Sequence, residues 1–235
     1  MSNGQIIVTG GSRGIGAAIV RELADRGYAV TSLSRSGDVV AGVGMACDVT
    51  NHEAVSVAVA AVAARGPIVG LVNSAGAHSA APSATLPIAE FESVMRLNAT
   101  SVLSVTQAVY PHLVAAGSSL IVNIGSFFDK LGVAENLAYC ASKAVIGAFT
   151  RCLAVEWAAA GIRVVNVAPG YIKTDLNAEF LDRQNVRSWL ARRVPMKRAG
   201  EPAEVARIVA ALFSENVGFL TGETIYLDGG QGMNH

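Results

Sequence analysis

Tyr139 and Lys143 stand four residues apart in a stretch, Tyr139–Ala160, that reads as one long helix stopped by Gly161. That spacing puts both side chains on one face, one turn apart. A phenol titrates near 10 and relays protons poorly at neutral pH, but a nearby ammonium favours the phenolate and lowers that value. A fall of roughly 3 units corresponds to about 4 kcal/mol, which a partly dehydrated pair can supply and a solvated one cannot. Taken alone, the pair equally fits one face of an ordinary amphipathic helix. Ser126 follows an apolar run, Ser119–Ile124, and its hydroxyl could hydrogen-bond a substrate oxygen.

A second cluster lies near the N-terminus. The turn Thr9-Gly10-Gly11-Ser12-Arg13-Gly14-Ile15-Gly16 falls between a predicted strand, Gln5–Thr9, and a predicted helix, Gly14–Arg26. Its spacing, Gly10-x-x-x-Gly14-x-Gly16, is not GxGxxG, but the physics is the same. Glycines let the backbone turn tightly and approach a ligand, and a helix start offers free N–H groups and a positive dipole end to a pyrophosphate. A glycine turn kept for geometry alone is the competing explanation. The next predicted strand, Ala29–Ser34, ends in Ser34-Arg35, with no acid to hold a ribose 2′-hydroxyl. Arg35, with Arg13, suits a 2′-phosphate instead, which favours NADP(H) over NAD(H). Either arginine alone would also pass for a solvated surface charge.

These residues need a frame. Short β-branched runs alternate with longer Ala-rich segments: further strands are expected near Gly44–Cys47 and at Ile68–Asn73, Ser119–Ile124, Ile162–Ala168 and Thr224–Leu227. Helices are expected from Asn51 as cap to about Arg65, from about Pro87 to Ala116 with a break near Asn98, and at Asn177–Arg192 and Pro202–Phe213. The alternation predicts an α/β fold: a doubly wound parallel sheet of about seven strands with helices on both faces. Ligands of such sheets bind beyond the carboxyl ends of the strands. No linker divides residues 1–235, so a single domain is expected.

The 235 residues carry 18 Lys+Arg against 18 Asp+Glu, so no broad basic face for nucleic acid is expected. The apolar stretch Val55–Ala64 is too short to span a membrane. The start MSNGQIIVTGG lacks the basic and apolar regions of a signal peptide. Cys47, Cys140 and Cys152 are odd in number and lack CxxC spacing, so neither a disulfide framework nor a metal site is expected. Each reads as a small buried hydrophobe in a reducing, cytoplasmic setting.

Taken together, TGGSRGIG, Asn73-Ser74-Ala75-Gly76, Asn98, Ser126, Tyr139-Cys-Ala-Ser-Lys143 and Pro169-Gly170 with Thr174 resemble the short-chain dehydrogenase/reductase family. The order and spacing agree from about Gln5 to Gly230, and the ending GETIYLDGG resembles the 3-oxoacyl-carrier-protein reductase-like group. The resemblance implies a Rossmann-type fold and hydride transfer between NADP(H) and a carbonyl or alcohol carbon of a small molecule. Tyr139 would be the general acid, or the base in oxidation. Lys143 would bind the nicotinamide ribose and depress the Tyr139 pKa, and Ser126 would polarise the substrate oxygen. Asn98 would keep a helix break open for a water linking Lys143 to solvent. The glycine turn, from Gly10 through Ser12, Arg13, Gly14 and Ile15 to Gly16, would hold the cofactor together with Ser34 and Arg35. Asp48 and Val49 would meet the adenine. Asn73, Ala75 and Gly76 would support sheet and cofactor, and Pro169, Gly170, Ile172 and Thr174 would lie along the nicotinamide end.

Ser74 departs from the family, which usually has a second Asn there. Phe127, Phe128 and Lys130 replace small residues after the serine, which makes a bulkier substrate mouth. Phe128 and Tyr171 are therefore expected to touch substrate, as is His78, which equally fits an exposed loop. The amphipathic stretch near 175–198 is expected to form a lid. The apolar helices around Asn98–Ala116 and Tyr139–Ala160 would, as in the family, pair into a homotetramer. The alternatives are an NAD-dependent dehydrogenase of a cyclic or steroid-like alcohol, and a non-catalytic NADP-binding regulator.

Overall fold

The computed structural model describes residues 4–215 and 217–233. Seven strands form one parallel sheet: β1 (Gln5–Thr9), β2 (Ala29–Ser34), β3 (Val43–Ala46), β4 (Ile68–Asn73), β5 (Ser119–Ile124), β6 (Ile162–Pro169) and β7 (Thr224–Leu227). Their order is β3-β2-β1-β4-β5-β6-β7, so the chain winds outward in both directions from the β1/β4 seam. That seam is the topological switch point, where a crevice opens beyond the carboxyl ends. The expected doubly wound Rossmann-type fold is the one observed.

Side-chain alternation along the strands divides the core into two layers. Ile6, Val8 and Val72 face helices α1 (Gly14–Asp25) and α8 (Pro202–Ser214), meeting Ile19, Leu23, Val209 and Phe213. Ile7, Leu71, Ile121 and Val164 face α2 (His52–Ala63), α4 (Ser101–Ala116) and α5 (Leu137–Trp157), meeting Val59, Val109 and Ala154. Local signals agree with these boundaries. Asn51 caps α2 through its side chain, Gly117 ends α4 in the left-handed region, and a Glu201/Glu204 capping box with Pro202 opens α8. By length and hydropathy the stretch Leu137–Ala160 could cross a membrane, but it packs on the sheet through Ile146, Thr150 and Ala154.

The structure refines several expectations. The break near Asn98 is a π-helical turn, Arg96–Thr100, joining α3 (Ile88–Met95) to α4. The predicted helix Asn177–Arg192 is two helices, α6 (Ala178–Asp182) and α7 (Gln184–Arg193), because Arg183 is extended at φ −61°, ψ 134°. Of the cysteines only Cys47 is buried; Cys140 is half-buried and Cys152 exposed on α5. Cys152 therefore corrects the buried reading: the helix turns that position away from the sheet.

Candidate active site

A cleft of about 540 Å³ opens along the carboxyl edge of the sheet. Its walls are the residues that follow the strands: Gly10–Gly16 after β1, Ser34 and Arg35 after β2, Cys47–Thr50 after β3, Ser74–His78 after β4, Gly125 and Ser126 after β5, and Gly170 and Thr174 after β6. Tyr139 and Lys143 enter it from α5.

The glycine turn is shaped by contacts that no side chain would allow. Gly10 has φ +71°, and a Cβ there would lie 2.8 Å from Ala75 Cα. A Cβ on Gly16 would lie 2.2 Å from Gly10 O. Gly14 differs: at φ +57° its Cβ would meet only Thr174, at 3.6 Å, across open space. The turn thus packs tightly against the protein on one side and leaves a bare surface toward the cleft. Arg13, the residue before α1, makes no side-chain cap, and the first turn of α1 holds no acid. The positive helix end therefore faces the cleft uncompensated, as a pyrophosphate site requires. Arg13 and Arg35 are exposed and both line the cleft. Asp48 is tied into its own turn, accepting from Thr50 N at 2.9 Å and Thr50 Oγ1 at 2.8 Å; these bonds hold its carboxyl below the usual range.

At the other end, the helix α5 brings Tyr139 and Lys143 beside Ser126. The Ser126 hydroxyl stands close enough to the Tyr139 phenol to favour the phenolate. Lys143 Nζ lies 5.7 Å from the Tyr139 ring centroid, on the same side of the sheet. It donates to Ile124 O at 2.9 Å and is buried, and burial lowers its pKa to about 8. An ammonium has three donors, and this is its one hydrogen bond among the described residues. A buried cation with donors to spare, facing a cleft, fits a sugar hydroxyl.

The Tyr139 pKa does not fall as the spacing suggested. Burial raises it, the Ser126 hydroxyl opposes the rise, and Cys140 adds to it. Lys143 turns its ammonium toward the end of β5 instead of the phenol oxygen, so desolvation prevails. Tyr139 is therefore a neutral, proton-bearing phenol at neutral pH.

Asn98 holds the loop opposite. Its Oδ1 accepts from Ala77 N at 2.9 Å, and its Nδ2 donates to Ala77 O at 2.8 Å and Ser142 Oγ at 3.1 Å. The π turn presents this amide to two elements at once, the loop after β4 and the helix α5. His78 is exposed, lies edge-on to the Tyr139 ring at 5.0 Å, and bonds Asn136 through Nε2 at 2.6 Å.

Other expected site residues stand outside the cleft. Asn73 is buried in the sheet, donating to Asn123 and Thr106, so it supports the frame without reaching the cleft. Ile172 packs into the core. Phe128 and Tyr171 join Tyr139 in a ladder of rings: Tyr139–Phe128 at 5.8 Å, Phe128–Tyr171 at 6.3 Å and Tyr171–Trp189 at 5.3 Å. Phe128 braces the phenol ring directly, and Tyr171 acts through Phe128. Sequence reasoning missed Thr9, whose buried hydroxyl accepts from Ser74 N and Ala75 N at 3.0 and 3.1 Å. It also missed Ser142, which bonds Asn98. A polar residue closing an apolar strand was the available signal for Thr9. No group of three or more metal-ligating side chains occurs among the described residues.

The comparisons with known proteins agree with this geometry. A family model described as enoyl-(acyl carrier protein) reductase matches residues 10–232. The chain belongs to the short-chain dehydrogenase/reductase family. It is 36% identical over 232 residues to the 3-oxoacyl-(acyl-carrier-protein) reductase MabA of Mycobacterium tuberculosis, covering 98% of this chain and 93% of that one. It is 37% identical over 237 residues to the 3-oxoacyl-(acyl-carrier-protein) reductase FabG of Vibrio cholerae, covering 97% and 96%. A crystal structure of a gluconate 5-dehydrogenase from Burkholderia cenocepacia, in complex with NADP and tartrate, superposes with a TM-score of 0.93 at 31% identity, covering 100% of this chain and 97% of that one. The protein is thus an oxidoreductase of this family, acting on carbonyl or alcohol substrates.

Proposed function

We propose that this short-chain dehydrogenase/reductase is NADP(H)-dependent and reduces a small-molecule ketone, or oxidises the corresponding secondary alcohol, with Tyr139 as proton donor and acceptor. The observation that carries the reading is that Ser126, Tyr139 and Lys143 line one cleft, with Lys143 Nζ 5.7 Å from the phenol ring.

The glycine turn and the start of α1 would hold the pyrophosphate, Arg13 and Arg35 a 2′-phosphate, and Lys143 the nicotinamide ribose. When bound, the nicotinamide supplies or accepts the hydride at the substrate carbon. The chain's own residues do the rest. Ser126 and Tyr139 converge on one substrate oxygen: Ser126 donates a hydrogen bond, and Tyr139 gives up its proton as the carbonyl oxygen becomes a hydroxyl. Burial keeps that proton on Tyr139 at neutral pH, which suits reduction. In oxidation the phenolate must form, and the Ser126 hydroxyl is what favours it. Asn98, by pinning Ala77 and Ser142, sets the width of the cleft between the β4 loop and α5.

The Burkholderia enzyme's complex with NADP, and the two clefted arginines where an acid would select NAD, support the phosphorylated cofactor. The segment 175–198 supports a lid reading. Its root is tied down by Asn177, which accepts from Thr174 N at 2.7 Å and donates to Ile172 O at 2.9 Å, and its helices share a small cluster of Leu181, Val186, Leu190 and Val194. We extend the proposal to a cytoplasmic homotetramer, supported by the exposed apolar side chains of Val155 on α5 and Phe219 before β7.

Tyr139→Phe tests the mechanism. NADPH-dependent ketone reduction should fall by at least about a hundredfold, as loss of a general acid requires, while NADPH binding measured by fluorescence persists. Undiminished turnover in the variant would refute the role given to Tyr139.

A further inference from the structure

The turn that carries Ser126 is three residues of 3-10 helix, Phe127–Asp129; Phe127 and Phe128 anchor its start by burial, and Asp129 ends it. Ser126 Oγ accepts from Phe128 N at 3.3 Å, and Asp129 N donates to Ser126 O at 3.1 Å. These bonds set the serine's acceptor side toward the turn and leave its O–H for the Tyr139 and substrate side. Any tilt of the turn therefore moves the Ser126 hydroxyl relative to Tyr139.

Two consecutive side chains at the end of this turn grip one residue 97 positions away. Tyr226 OH donates to both carboxylate oxygens of Asp129, at 3.0 and 3.1 Å. Lys130 Nζ sits over the face of the same ring, 3.5 Å from its centroid. Tyr226 is itself fixed, in register with Ala168 of β6. Asp129 also faces α5 one turn beyond Lys143: a Cβ on Gly147 would lie 3.4 Å from Arg151 Nη1 and 4.0 Å from Asp129 Oδ2. The carboxylate thus stands where the serine turn, α5 and β7 meet. Burial pushes its acidity down, and the Tyr226 bond, Lys130 and Arg151 act against that. None of Asp129, Lys130 and Tyr226 lines the cleft.

We propose that Tyr226 and Lys130 clamp the turn through the Asp129 carboxylate and the Tyr226 ring, and so position the Ser126 hydroxyl for the substrate oxygen. These are positioning residues, acting through Ser126, and the assignment rests on the carbonyl-reductase reading above. The clamp ties the last strand of the chain to the reacting end of the cleft, although no residue of that strand reaches it.

The test compares wild type, Tyr226→Phe, Asp129→Ala, Asp129→Asn, Ser126→Ala and the Ser126→Ala/Tyr226→Phe pair. The assay is NADPH oxidation with a ketone chosen by screening the wild type, and NADPH affinity is read by fluorescence. Tyr226→Phe keeps the ring under Lys130 and removes the bond, and Asp129→Ala removes its acceptor. Each should lower kcat about tenfold, the scale on which small misplacements act, with NADPH affinity held within about twofold. Asp129→Asn keeps a carbonyl oxygen for the phenol and should hold kcat within about threefold. The pair should be no slower than Ser126→Ala alone, because the clamp has nothing left to position. A purely structural role would not give that non-additivity. Unchanged kcat in Tyr226→Phe and Asp129→Ala, or a pair slowed by the product of the two single effects, would overturn the clamp alone. A wild type that reduces no ketone would overturn the reductase reading and the clamp with it.

Discussion

Lys143 should cost the protein stability, and replacing it with methionine should show how much. The ammonium is buried, gives one hydrogen bond to Ile124 O, and titrates at about 8 against an ordinary 10.5. That gap of roughly 2.5 units corresponds to about 3 kcal/mol. Its sign follows from proton counting. Below about 8 the folded and unfolded chains both carry the proton, and the folded state bears the full desolvation cost. Between 8 and 10.5 the unfolded chain holds a proton that the folded one has released, so stability rises with pH. Above 10.5 the cost is gone. Lys143→Met keeps the length, removes the charge and forfeits a hydrogen bond worth about 1 kcal/mol. At about pH 7 the variant should therefore be more stable by about 2 kcal/mol, or roughly 4–8 °C in Tm for a chain of this size. By about pH 9.5 wild type should have regained about 2 kcal/mol, closing the gap. Scanning calorimetry at matched protein concentration, without cofactor, measures both arms. A variant that melts lower at neutral pH, or a difference independent of pH, would refute the account of Lys143 as a strained buried cation. Activity should be lost in either case.

Gly16→Ala should disrupt both stability and cofactor binding, because its Cβ would meet a backbone oxygen at 2.2 Å; calorimetry should show a loss of about 1–3 kcal/mol. Gly14→Ala should separate the two, since its Cβ has room but projects toward the cleft. NADPH affinity should drop at least about tenfold, with only the roughly 1 kcal/mol that its positive φ imposes on stability. Arg35→Ala should reduce the ratio of kcat/KM for NADPH over NADH by about 10–100-fold, the worth of one charge-assisted contact to a phosphate. A ratio that stays the same would move the 2′-phosphate site elsewhere.

Much of the frame was legible because burial on both faces leaves a simple mark. The runs at Gln5–Thr9, Ser119–Ile124 and Ile162–Pro169 are mostly apolar and buried along almost their whole length. The weak signal for β3 has the converse cause: it is an edge strand, partly exposed at both ends. What the spacing of Tyr139 and Lys143 could show was that they share a helix face. It could not show where a flexible four-carbon chain ends. That end, at Ile124 O, reverses the direction of the Tyr139 shift. Phe128 and Tyr171 looked like substrate residues because they follow strands at the right edge. Their rings form a ladder with Tyr139 and Trp189, which strand position cannot reveal. The Asp129–Tyr226 pair, joined across 97 residues, had no local signal at all.

The buried polar residues show how a rigid sheet comes to hold a chemically active edge. Thr9, Asn73, Asn123, Asn166 and Thr224 pair in register across five adjacent strands, forming one row just beneath the cleft. An apolar row would avoid the desolvation penalty, and would leave no orphan such as the Oδ1 atoms of Asn73 and Asn166, which have no hydrogen-bond partner among the described residues. The row instead reaches outward. Thr9 holds the backbone of Ser74 and Ala75, Asn73 holds Thr106 on α4, and Asn123 holds Thr150 on α5. α4 follows the π turn of Asn98, and α5 carries Tyr139 and Lys143. Each hydrogen bond contributes about 1 kcal/mol at most to net stability, so their value lies in fixing distance. Hydrophobic packing lets helices slide over a sheet at small cost, whereas a row of directional bonds does not. In the proposed mechanism a serine and a tyrosine supplied by different elements must meet at one substrate oxygen, and they need that kind of constraint.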